Sequence, residues 1–149
     1  MPGPEIHMNQ EDNPTCRIRV EKATCTRLDE AETREWLLAD GRGGYASGTV
    51  AGTPTRRYHG LLVDATTPPT GRRLLVHSLQ ERVLLGGDHV DLATNRWSDG
   101  SIHPRGYEHL SSFELEGRTP TWTWSVGGIT LQRRIALRDR MLQVHWSLV

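Results

Sequence analysis

The residues best equipped for chemistry in this chain stand side by side: Arg56, Arg57, Tyr58 and His59. An arginine guanidinium presents five N–H donors in a fixed planar fork. Tyrosine adds a hydroxyl and a flat apolar face, and histidine carries a donor and an acceptor on one ring. Planar, multi-donor side chains of this kind suit the hydroxyls of a sugar. They suit equally well the task of holding a neighbouring domain in register, and residue types alone leave both open. Read as a strand, the segment would split by alternation, with Arg56 and Tyr58 on one face and Arg57 and His59 on the other. One pair would then face a cleft, and Arg57 and His59 are expected to converge there with Tyr45 or Arg42. The alternative is a buried Arg57 paired with Glu35 or Asp64.

Other constellations carry less. Gly41, Gly43 and Ala46 match G-x-G-x-x-A, and Asp64 follows at the end of an apolar run, as in a dinucleotide fingerprint. That fingerprint requires a helix directly after the glycines, because the helix N-terminus binds the pyrophosphate. Here Ser47 to Pro54 supplies two glycines, three β-branched residues and a proline, so residues 41–53 are expected to be loop or strand. Glycoside hydrolysis needs two carboxyl groups flanking the scissile bond. Glu35, Asp40, Asp64, Glu81, Asp99 and Glu108 are available, and none sits in a context that marks it as catalytic. The histidines lack metal-ligand spacing, so neither a metal nor another cofactor is expected. Of the tryptophans, Trp122, Trp124 and Trp146 fall on apolar strand faces and read as core. Trp36 and Trp97, in less regular surroundings, are the candidates for sugar platforms.

The elements that position these residues read as strands. Arg17 to Val20 alternates with period two, and Leu28 to Leu38 leaves room for a short helical turn. Tyr58 to Ala65 and Leu74 to Leu85 read as strands, and Gly86-Gly87-Asp88 supplies a turn to a partner at 89–93. Trp122, Trp124 and Val126 alternate with polar residues up to Gly127-Gly128, a two-residue hairpin loop. Ile129, Leu131, Ile135 and Leu137 then share one face, with Arg133 on the same parity, which suggests a bulge or strand end there. Leu142, Val144, Trp146 and Leu148 alternate again. Strands with one apolar face, joined by glycine turns, form an all-β antiparallel sandwich, expected over residues 16–149. Residues 1–15 read as a disordered lead-in. The alternation runs to Val149, so the sandwich is expected to be incomplete at that end.

The chain has 149 residues and zero formal net charge. It is long enough for a real core and shows no electrostatic bias toward nucleic acid or anionic membrane. It lacks an apolar run of membrane-spanning length and an apolar signal-like centre near Met1, so a cytoplasmic location is expected. Cys16 and Cys25 are too few for a disulfide framework and read as reduced thiols.

The segment from Glu35 to Val63 also carries a long ordered pattern: Glu35-Trp36-Leu37, then Gly41-Arg42-Gly43-Gly44-Tyr45-Ala46-Ser47-Gly48-Thr49, then Thr55-Arg56-Arg57-Tyr58-His59-Gly60-Leu61-Leu62. Pro68-Pro69, Gly71-Arg72, His103-Pro104-x-Gly106 and Pro120-x-Trp122 continue it. In these motifs the chain resembles the N-terminal domain of the bacterial and archaeal type of glycogen debranching enzyme, the amylo-α-1,6-glucosidase family. The resemblance implies a supersandwich-like β domain followed in the parent enzyme by an (α/α)6 catalytic barrel, which supplies the catalytic acids. It implies hydrolysis of α-1,6 branch linkages in a glycogen-like α-glucan by that parent, and no activity of this chain alone. Its candidate substrate-binding residues are Arg56, Arg57, Tyr58, His59, Tyr45, Arg42 and Trp36, with no catalytic residue among them. A free-standing carbohydrate-binding module and a purely structural domain are the competing readings.

Overall fold

Three of the tight hairpins in the C-terminal half are explained by the residues at their tips. Gly127 and Gly128 both have positive φ, 55° and 81°, as do Gly86 and Gly87. This is the backbone a two-residue turn needs if it is to match strand twist. Asp139 and Arg140 adopt the same region at the third hairpin, with φ of 49° and 63°.

The computed structural model describes residues 16–149, so the expected lead-in at 1–15 lies outside the described residues. Strand β1 (Arg17–Glu21) is followed by two single-turn helices, α1 (Lys22–Cys25) and α2 (Leu28–Ala31). Then come β2 (Glu35–Ala39), β3 (Tyr45–Thr49), β4 (Gly60–Thr67) and β5 (Thr70–Val76). Two small hairpins follow, β6 (Arg82–Leu85) with β7 (Asp88–Asp91), and β8 (Thr94–Arg96) with β9 (Ile102–Arg105). A 3-10 turn, Gly106–His109, leads into β10 (Leu110–Glu116), β11 (Thr119–Val126), β12 (Ile129–Arg138) and β13 (Met141–Leu148). One antiparallel sheet has the order β1-β10-β11-β12-β13, and another the order β2-β3-β4-β5. The all-β sandwich expected from the pattern is the architecture found.

The two large sheets meet through aromatic rings. Trp36 of β2 packs edge-on against Trp122 of β11 at 5.2 Å between centroids, and Phe113 of β10 does so at 5.0 Å. Both of these tryptophans have a partner for the indole N–H: Trp122 donates to the Val50 carbonyl (3.0 Å) and Trp36 to that of Thr49 (3.3 Å), whereas the buried Trp124 N–H has none among the described residues. Large aromatic surface thus leaves water while the polar handles of Trp36 and Trp122 stay satisfied. Cys16 and Cys25 are both free thiols. Cys25 is buried, and burial pushes its thiol up to about 11, so it packs as an unreactive apolar group.

Four expectations are corrected. Strand β12 runs unbroken through Arg133, whose neighbours keep continuous register with β11 and β13. The Leu74–Leu85 stretch is two strands, β5 and β6, with 77–81 between them. Trp36 is core, only 4% exposed, because Trp36 and Leu38 point inward from β2 while Glu35 and Leu37 point out. Trp146 is 36% exposed, since β13 has no further strand beside it among the described residues.

Candidate functional site

The segment entering β4 is a turn, not a strand. The His59 N–H donates to the Arg56 carbonyl at 3.1 Å. The ring of His59 folds back beneath the turn, where its Nδ1 accepts the backbone N–H groups of Thr55 (3.1 Å) and Arg56 (3.3 Å). An accepting Nδ1 places the proton of the neutral ring on Nε2. His59 is 3% exposed, and burial lowers its pKa, against the pull of the Glu35 carboxylate with Nε2 4.0 Å away. It is a neutral brace for the turn.

Bracing on the inside leaves the other three side chains outside. Arg56, Arg57 and Tyr58 are all exposed. Arg56 Nε donates to Glu35 Oε1 at 2.7 Å, and this hydrogen bond holds the Glu35 carboxyl below its usual range. The Tyr58 carbonyl accepts the hydroxyl of Tyr45 at 3.0 Å, which fastens the turn to β3. Arg57 makes no hydrogen bond or ion pair among the described residues. The loop leading into the turn is tied down through Thr49, whose hydroxyl donates to the Thr53 carbonyl (2.7 Å). Thr53 in turn donates to Glu32 (2.9 Å), itself paired with Arg96 (2.7 Å).

Arg42 belongs to a second loop. Asp40 Oδ1 accepts the N–H groups of Arg42 (2.7 Å) and Gly44 (2.9 Å), which curls residues 40–44 around that carboxylate. Gly43, at φ +100°, lies so close to the Pro68-Pro69 turn that a Cβ would meet Pro69 O at 2.7 Å. Arg72 links this loop to Tyr45: its Nε donates to Gly43 O (2.9 Å) and its guanidinium lies over the Tyr45 ring at 5.8 Å.

The structure therefore brings together Arg56, Arg57, Tyr58 and Tyr45. His59 and Trp36 lie behind them as buried support, and Arg42 stands on the neighbouring loop. The expected face shared by Arg57 and His59 does not form, because a turn breaks strand alternation. Arg57 is paired with neither Glu35 nor Asp64. Asp64, buried, is held in its ionised form by two hydrogen bonds from Arg140, one of 2.9 Å.

Most of the carboxylates considered above are held by cations or backbone N–H groups, which favour the ionised form. Glu81 differs: burial pushes its carboxyl up, while the adjacent Arg133 guanidinium opposes. Arg133 is buried on the inner face of β12, 4.3 Å above the Trp122 ring and 5.0 Å from that of Trp124. This pair escaped the sequence reading. Its one signal was an arginine on the apolar parity of a strand.

No curated protein sequence and no solved structure gives a significant match to the chain. The family described as glycogen debranching enzyme N terminal matches residues 34–147. That span takes in β2 to β12 and all but the last residue of β13, including the turn and the 40–44 loop, so the chain belongs to the family of N-terminal domains of glycogen debranching enzymes.

Proposed function

We propose that this domain serves an α-1,6-glucosidase acting on glycogen-like α-glucans in the cytoplasm. In this reading it packs on an (α/α)6 catalytic barrel and lends the 56–58 turn to the substrate cleft. The observation that carries the reading is Arg57: a five-donor guanidinium, exposed and without a partner among the described residues, on a turn braced from within by His59. A braced turn spares the cost of ordering its backbone when the side chain meets a ligand. Tyr58 beside it, 51% exposed, offers a ring for a sugar face. The catalytic carboxyls belong to the barrel, and the chain by itself releases no glucose.

The test is titration of the chain, and of its assembly with the barrel, with a branched maltodextrin. Loss of the charged hydrogen bonds in Arg57→Ala should weaken binding or turnover about tenfold or more. The melting temperature should stay near that of the wild type. Unchanged binding and turnover in both Arg57→Ala and Tyr58→Ala would leave the turn a structural contact and refute the reading. Glucose release by the isolated chain, abolished by one carboxylate substitution within it, would refute the division of labour.

A further inference from the structure

The two small hairpins flank an open groove of mixed polar and apolar lining that shares no residue with the 55–59 turn. One part, about 360 Å³, is walled by Glu81, Arg82, Asp91 and His103. Through Asp91, His103 and Pro104 it continues into a second hollow of about 270 Å³, which adds His89, Glu108 and His109. Trp97, in the turn joining β8 to β9 and 56% exposed, lines neither hollow itself and adjoins the groove through His103, which lines both. An exposed indole is ordinarily free to move, and this one is held. Its Nε1 donates to the carbonyl of His103 at 2.7 Å. Its backbone N–H donates to Ser101 O (2.8 Å), and its carbonyl accepts from Gly100 (2.9 Å). Asp99 Oδ1 closes the same turn by accepting both the N–H and the hydroxyl of Ser101, at 2.9 and 2.6 Å.

The chemistry of the groove selects its occupant. Its arginines are engaged: Arg82 with Asp91 and Arg105 with Glu108, each at 2.7 Å. An anion would face Glu81, Asp91 and Glu108, and the two arginines lining the groove among the described residues are already paired. A divalent metal needs several converging ligands, and among the described residues no group of three His, Cys, Asp or Glu side chains is placed to hold one. A peptide would want apolar pockets, and the lining offers little beyond Ala93, Val90 and Pro104. Planar acceptors and donors beside a fixed aromatic ring suit a neutral polyhydroxylated ligand.

We infer that this groove is a second carbohydrate site, binding a neutral oligosaccharide with one pyranose face on Trp97 and its hydroxyls hydrogen-bonded to His103, Asp91 and Glu108. The site goes beyond the 56–58 turn. Only the choice of an α-glucan as probe rests on the function proposed above. Maltoheptaose titrated into the 15N-labelled chain should shift the indole Nε1–H resonance of Trp97 saturably. Trp97→Ala should weaken that binding about tenfold, and Trp97→Phe, which keeps an aromatic face, should restore part of it. Arg57→Ala should leave the Trp97 response unchanged. A response to cellohexaose alone would uphold the groove and overturn the α-glucan reading. A Trp97 resonance indifferent to both sugars, or sugar binding that survives in Trp97→Ala and fails only in Arg57→Ala, would overturn the groove and leave the turn standing.

Discussion

His59 and Arg57 are two residues apart and answer to opposite tests. His59 Nδ1 is the acceptor for two backbone N–H groups, and the ring that accepts them is buried beneath the part-buried turn. His59→Ala strands both donors, and a stranded buried donor costs about 1–3 kcal/mol. Urea unfolding should show that loss, whereas Arg57→Ala should move stability by less than about 0.5 kcal/mol, as for most surface changes. An equal effect of the two would mean that the turn is not braced as described. Arg133 and Glu81 pose a sharper case. Removing one member of a buried pair leaves the other uncompensated, at about 3–5 kcal/mol, while replacing both with apolar groups of similar size is often near neutral. Arg133→Met should therefore be strongly destabilising, and Arg133→Met with Glu81→Leu should recover much of the loss. Additive losses in the denaturation midpoints would show that the two side chains are not coupled.

The strands were legible where local chemistry decides them and illegible where a distant partner does. The β6–β7 and β11–β12 hairpins follow from glycine pairs at their tips, and period-two alternation marks β11, β12 and β13. The same rule misread Arg133, because alternation treats a charge on the apolar face as a defect. Its partner Glu81 lies 52 residues earlier, between β5 and β6, and no local pattern links them. Trp36 failed for a different reason: β2 has only five residues, too few for its in-out pattern to stand out beside a glycine-rich neighbour. The 55–59 turn was read as strand because Tyr58 to Val63 is continuous with the apolar run of β4, and the ring of His59 redirects the chain only once it is buried. Glycines that no positive φ requires carry tertiary information of the same kind. Gly106 sits where the 3-10 turn crosses the chain between β7 and β8, its N–H on Ala93 O at 2.8 Å, and a Cβ there would lie 2.0 Å from Leu92 O. Both are backbone, so the crossing itself would have to open. Gly106→Ala should cost about 3 kcal/mol, at the upper end for overpacking, and loosen the β8–β9 hairpin that carries Trp97. Hydrogen exchange at Thr94 and Arg105 reads that loosening directly; protection unchanged in the variant would contradict the close approach.

Across the whole molecule, stability is linked to pH through groups whose protonation folding disfavours. Burial lowers the pKa of His59 from its ordinary 6.5, so the unfolded chain binds this proton more readily than the folded one. Its contribution is complete above 6.5 and is lost as pH falls toward the lower folded value. Asp64, hydrogen-bonded by Arg140, and Asp91, by Arg82, are held below their ordinary 3.8, and Glu35, by Arg56, below its ordinary 4.5. Their contributions are present above those ordinary values and are lost as pH falls through the folded ones. Glu81 runs the other way: burial raises its pKa from 4.5, so its ionisation opposes folding as pH rises through the folded value. The melting temperature should be nearly level above pH 7, decline once below about 6.5 through His59, and decline again below about 4 through the three paired carboxylates. His59→Gln should lower the whole curve and remove the first decline while keeping the second. Glu81→Gln should flatten whatever rise the wild type shows on acidification from neutrality. A first decline that persists in His59→Gln would place the responsible proton on another histidine and separate the brace of the turn from the acid response of the domain.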